Sequence, residues 1–133
     1  MTCILLTEDQ PDQRTLYHDV LTDAGYTVYD AWSAPEALEL YQRYKPDIVV
    51  MDIQMPGMDG IEALGKILDK DRKTPVILYS AYPAFKMNFL TWSADAFVEK
   101  TGDPQELVDA VKKLSKARGI PIPESKKVEG VAP

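Results

Sequence analysis

"DIVVMD", residues 47–52, sets four apolar side chains in succession and then stops on a carboxylate. A strand with one wet face alternates apolar and polar residues. An unbroken apolar run this short fits a strand covered on both faces, as in the interior of a parallel sheet. The same texture recurs at Cys3-Ile4-Leu5-Leu6 and at Val76-Ile77-Leu78. Two further runs, residues 26–31 and 96–99, mix apolar and polar side chains as edge strands do.

Helical patterns separate these runs. Residues 11–24 place Leu16, Val20, Leu21 and Ala24 on one face, with Gly25 as the stop. Ser33-Ala34-Pro35-Glu36 has capping-box spacing and opens a helix with Ala34, Ala37, Leu38, Tyr41 and Tyr44 inward. After a loop containing Pro56, Gly57 and Gly60, a third helix aligns Ile61, Leu64 and Leu68. A fourth covers residues 84–92. The fifth opens at Asp103-Pro104-Gln105-Glu106, a capping residue followed by proline, and buries Leu107, Ala110, Val111 and Leu114. Five strands alternating with five helices define an α/β domain: a doubly wound parallel sheet with helices on both faces. The order 2-1-3-4-5 puts the three apolar strands inside and the mixed ones at the edges. Residues 1–118 form this domain. Gly119-Ile120-Pro121-Ile122-Pro123 breaks the last helix, so residues 119–133 read as an extended or disordered tail or a linker stub.

The composition excludes several classes. Of 133 residues, 45% are hydrophobic and 27% charged, as in soluble globular proteins. No apolar run approaches the roughly 18 residues that cross a bilayer, and no basic segment leads into an apolar core as in a secretory signal. The single cysteine, Cys3, excludes an internal disulfide and fits the cytoplasm. A net charge of −6 argues against direct nucleic-acid binding. The longest basic cluster, Lys112, Lys113, Lys116 and Arg118, ends a helix, where cations complement the dipole.

Chemistry collects where an open α/β sheet binds ligands, beyond the carboxyl ends of its strands. Glu8 and Asp9 follow the first strand, Asp52 ends the third, Ser80 follows the fourth and Lys100 the fifth. Each has an ordinary reading alone: solvated loop acids, a turn aspartate, a surface lysine. Together, three carboxylates on one rim repel unless a cation joins them. A hard divalent ion, Mg²⁺ or Mn²⁺, suits oxygen ligands and leaves positions open for phosphate oxygens. Asp52 can then act as a nucleophile toward phosphorus, with the Ser80 hydroxyl and the Lys100 ammonium on the phosphoryl oxygens. His18 has no second ligand nearby and reads as a surface residue facing away from Leu16 and Val20. In the fourth helix, Phe85, Met87, Phe89, Leu90 and Trp92 spread around the circumference, which leaves an apolar face for a partner.

The stretch Met51-Asp52-Ile53-Gln54-Met55-Pro56-Gly57-Met58-Asp59-Gly60 resembles the phosphoacceptor strand and loop of response-regulator receiver domains. Glu8-Asp9, Ser80-Ala81 and Lys100 stand in that family's order and spacing, and the resemblance spans about residues 1–118. It implies a flavodoxin-like fold and a phosphorelay role in a two-component system, with no enzymatic activity beyond self-catalysed phosphoryl transfer and dephosphorylation. Asp52 would be phosphorylated and would bind the metal, with Asp9 a direct ligand, Glu8 its acidic neighbour and the Gln54 backbone carbonyl completing the set. Ser80 would be the switch hydroxyl, Lys100 the phosphate-binding lysine and Phe97 the rotating aromatic. A sensor histidine kinase or a histidine phosphotransfer protein would be the donor. A downstream protein target or output domain would read the surface of the fourth helix, fifth strand and fifth helix. One departure stands out: receivers commonly follow the lysine with proline, whereas Thr101 follows Lys100 and the proline, Pro104, comes later. A cis bond without proline costs about 2.5–4 kcal/mol. Tyr82, two residues past Ser80, is expected to shield the phosphate from water. Of the rival readings, a flavin module needs a hydroxyl- and glycine-rich loop where "TEDQPDQ" is acidic. An interface-only adaptor has no use for the full carboxylate set. A metal-dependent hydrolase lacks a separate general base.

Overall fold

The computed structural model describes residues 2–53, 60–71, 73–81, 94–100 and 103–125. Five strands, β1 (Cys3–Thr7), β2 (Thr27–Ala31), β3 (Ile48–Asp52), β4 (Val76–Ser80) and β5 (Ala96–Glu99), form one parallel sheet in the order β2-β1-β3-β4-β5. Four helices are described: α1 (Pro11–Asp23), α2 (Ala34–Tyr44), α3 (Gly60–Lys70) and α4 (Gln105–Arg118). The helix expected over residues 84–92 lies outside the described residues, as do Gln54, Tyr82, Thr101 and the tail from residue 126. No helix among the described residues is long and apolar enough to cross a membrane.

The unbroken apolar runs become the interior strands. β3 and β4 are buried throughout, and β1 apart from half-buried Cys3, while β5 and most of β2 are only partly covered. Side chains alternate between the two sheet faces, and each face has its own core. Leu5, Val49, Met51, Val76 and Leu78 pack with Ala34, Ala37 and Tyr41 of α2 and Ala63, Leu64 and Ile67 of α3. Ile4, Leu6, Ile48, Val50, Ile77 and Tyr79 pack with Tyr17 and Leu21 of α1 and Leu107, Val111 and Leu114 of α4. Burial on both faces is what these apolar runs required.

The helix starts follow local chemistry. Ser33 Oγ accepts the Glu36 N–H at 3.3 Å, and Glu36 Oε1 accepts the Trp32 N–H at 2.7 Å. Asp103 Oδ1 accepts the Gln105 N–H at 3.0 Å, but the N-cap position is taken by Pro104 rather than by Asp103, so the last helix starts one residue later than expected. α1 departs from its expected face. Leu16 is exposed, and Tyr17 takes the inward position, edge-on to Tyr79 with ring centroids 5.3 Å apart. Tyr44 is exposed too, stacked on Tyr29 at 3.9 Å. His18 is not a simple surface residue: Nδ1 meets Asp30 Oδ1 of β2 at 2.9 Å.

Beyond Gly119, in the left-handed conformation at φ 68°, residues 120–125 run on without helix or strand and dock. The Thr2 hydroxyl donates to the Pro121 carbonyl, Ser125 Oγ donates to the Asp23 carbonyl at 2.9 Å, and Ile120 packs on the second core. Gly25 is required where the segment passes. Its φ is +102°, and a Cβ there would collide with the Glu124 carbonyl. Gly25→Ala should therefore lower stability by about 1–2 kcal/mol from backbone strain, and by more from displacing residues 123–125. Urea unfolding of Gly25→Ala should show this loss, and a midpoint equal to wild type would contradict the docking.

Candidate functional site

Sheet parity delivers the site. Glu8 continues the Ile4–Leu6 series past β1, Asp52 ends the Ile48–Val50 series, and Lys100 continues the Ala96–Val98 series past β5. All three therefore emerge at the carboxyl edge on the α1/α4 side. Tyr79, paired in register with Asp52, belongs to the same side. The Lys100 N–H donates to the Ser80 carbonyl at 2.8 Å, which fixes where the lysine leaves the sheet.

From there the ammonium reaches across. Lys100 Nζ donates to Glu8 Oε1 at 2.7 Å, to Asp52 Oδ2 at 2.9 Å and to Gln13 Oε1 of α1 at 3.0 Å. The Glu8 side chain is fully buried and those of Lys100 and Asp52 nearly so. Glu8 gathers further donors: Oε1 also takes the Tyr79 hydroxyl at 3.0 Å, and Oε2 takes the Gln10 N–H at 3.1 Å. Arg14 Nη1 donates to the Glu8 carbonyl at 3.0 Å and pins the same loop. Carboxylate oxygens of Glu8, Asp9 and Asp52 lie within 4.8 Å of one another. Such a hard-oxygen donor set, partly open at Asp9, fits a divalent cation of the Mg²⁺ type.

The protonation pattern follows from this crowding. Burial pulls the Glu8 carboxyl upward, but the Lys100 ammonium and the two other donors prevail and hold it below the ordinary value of 4.5. Asp9 moves the other way, raised by burial and then by its neighbour Glu8. Burial alone would lower Lys100, yet Glu8 and Asp52 raise it above 10.5.

Ser80 is buried at the end of β4, one residue past the partner of Asp52, and belongs to the opposite face series with Val76 and Leu78. Phe97, in register with Leu78, packs half-buried against that same core. Five residues singled out from the sequence, Glu8, Asp9, Asp52, Ser80 and Lys100, thus share one rim, with Phe97 two residues below the level of Ser80 on β5. Gln54 and Tyr82 lie outside the described residues. Gln13 and Tyr79 belong to the site although sequence reasoning passed them over. A tyrosine directly before the rim serine, in phase with Asp52, was the signal for Tyr79.

The family model described as the response regulator receiver domain matches residues 4–112. The chain is 37% identical over 116 residues to the chemotaxis protein CheY of Thermotoga maritima, covering 85% of this chain and 97% of that protein. It is 35% identical over 112 residues to sporulation initiation phosphotransferase F of Bacillus subtilis, covering 83% and 90%. Among solved structures, the response regulator TrrA of Thermotoga maritima, in complex with Mg²⁺ and BeF, superposes with a TM-score of 0.80 at 36% identity, covering 86% of this chain and 99% of that one.

Replacing Lys100 by Met leaves three carboxylates without their cation. Stability in metal-free buffer at pH 7 should fall by about 3 kcal/mol, as for a broken buried ion pair. The charged Glu8 is stabilised in the fold, so the difference is complete above pH 4.5, the ordinary glutamate pKa, and narrows as pH falls below it. Urea titrations at pH 7 and pH 3.5 measure this, and an equal gap at both would contradict the assignment.

Proposed function

Since the chain belongs to the response regulator receiver domain family of two-component signalling, we propose that Asp52 is the residue that takes up the phosphoryl group. The observation that carries this reading is Lys100 bonded at once to Glu8 and Asp52, with Asp9 completing the carboxylate cluster. A phosphohistidine on a sensor kinase or phosphotransfer protein is the donor. An Asp52 carboxylate oxygen attacks phosphorus in line, the P–N bond breaks, and the leaving imidazole keeps the electron pair and takes a proton from solvent. Hydrolysis of the acyl phosphate later restores the carboxylate.

The chain's own side chains supply position and charge. Lys100 has three N–H donors and all are in use, so it contacts a phosphoryl oxygen by exchanging a partner, Gln13 being the uncharged one. Ser80 offers its hydroxyl from the end of β4. Asp9 and Asp52, with the Gln54 carbonyl inferred from family resemblance, would hold Mg²⁺ or Mn²⁺ beside Glu8. When bound, the cation neutralises charge on the phosphoryl oxygens and orients them.

Ser80 and Phe97 share the face series opposite to Lys100. Movement of Ser80 toward a phosphate opens space that Phe97 fills by turning inward. The surface that changes is that of residues 84–92, β5 and α4, and a protein target or output domain reads it there. Cys3, pushed up to about 11 by burial and then by Asp47, is an inert thiol in keeping with a cytoplasmic protein. With acetyl phosphate and Mg²⁺, wild type should be labelled and Asp52→Ala should not. Labelling that persists in Asp52→Ala overturns the proposal.

A further inference from the structure

Tyr79 is fully buried inside the site, yet phosphoryl transfer as proposed above makes no use of it. Its hydroxyl lies 3.0 Å from Glu8 Oε1 and 3.2 Å from the Thr7 carbonyl. Its ring lies under Lys100, whose Nζ is 4.5 Å from the centroid, and takes the edge of Tyr17 at 5.3 Å. Burial and then the nearby carboxylates keep this hydroxyl protonated well above pH 10, so it acts as a donor. A buried aliphatic residue would fill this position in the core equally well, and would make neither polar contact.

The donor arithmetic gives these contacts a role. Lys100 spends its three hydrogens on Glu8, Asp52 and Gln13. Even when Gln13 is the partner exchanged, a phosphoryl oxygen draws on the same ammonium charge, so the Lys100 bond to Glu8 is weakened. A fully buried carboxylate left without donors is costly. The Tyr79 hydroxyl on Oε1 and the Gln10 N–H on Oε2 are donors to Glu8 that do not come from Lys100.

We infer that Tyr79 is a positioning residue: its hydroxyl fixes the Glu8 carboxylate and its ring seats Lys100, so the carboxylate cluster is preorganised for a divalent cation. The inference rests on the functional reading above and adds a residue to it. Glu8 held in this way leaves Asp9 and Asp52 as the carboxylates that face the ion, with Glu8 supporting them.

Tyr79→Phe removes the oxygen alone and keeps the ring against Tyr17 and Lys100. Binding of Mn²⁺ without any phosphodonor, followed by the loss of the free-ion electron paramagnetic resonance signal, should weaken about 10-fold, the lower end of the scale of one hydrogen bond to a charged group. The half-saturating Mg²⁺ concentration for acetyl phosphate labelling should rise by the same factor, with a smaller change in the saturated rate. In a Glu8→Gln background, Tyr79→Phe should cause little further loss, because its effect acts through that carboxylate. Wild-type Mn²⁺ affinity in Tyr79→Phe, with or without a lower melting temperature, overturns the inference and reduces Tyr79 to packing. So does an undiminished loss in the Glu8→Gln background. Failure of the functional reading looks different: wild type itself would neither bind Mn²⁺ nor be labelled on Asp52, and the inference would fall with it.

Discussion

A single ammonium group makes the carboxyl edge of this sheet tenable. Glu8, Asp9 and Asp52 approach within 4.8 Å of one another. Two like charges at that separation repel by roughly 3 kcal/mol at an effective dielectric near 20. Lys100 meets two of the three at 2.7 and 2.9 Å, where attraction exceeds that repulsion. Its backbone is held by the Ser80 carbonyl, so the cation arrives from the edge strand at a fixed point rather than as a mobile surface charge. The arrangement also leaves a task unfinished. One lysine offsets part of the negative charge, and the remainder is the attraction available to a divalent cation and, through it, to a phosphoryl group.

Much of this could be read before any coordinates. Apolar runs without alternation identified β1, β3 and β4 as interior strands, and their alternation with helical patterns fixed a parallel sheet. Carboxylates, serine and lysine each stood directly after a strand, so the strand ends alone placed them on one rim. What escaped depended on contacts that no local pattern encodes. On α1, Leu16 and Tyr17 compete for the core. Tyr17 prevails because Tyr79 offers its ring an edge contact from the sheet, while Leu16 is left exposed. His18 looked solvated because its partner, Asp30, lies on a different strand. The segment after Gly119 carries no period, yet it docks through single hydrogen bonds from Thr2 and Ser125. Such bonds leave no signature in spacing.

The two faces of the sheet divide the labour. Glu8, Asp52, Tyr79 and Lys100 continue the side that packs on α1 and α4. Ser80 and Phe97 belong to the side that packs on α2 and α3. Charge is gathered on one face, and Ser80, which follows directly on Tyr79 in β4, belongs to the other. The chain belongs to the response regulator receiver domain family and is similar to CheY and to sporulation initiation phosphotransferase F.

The most direct measurement is a crystal structure of the chain with Mg²⁺ and beryllofluoride. The account predicts beryllofluoride on an Asp52 carboxylate oxygen, Mg²⁺ between Asp9 and Asp52, and Lys100 Nζ donating to a fluorine while Glu8 keeps the Tyr79 hydroxyl. Beryllofluoride on another residue, or Lys100 turned away from the beryllofluoride on Asp52, would contradict it.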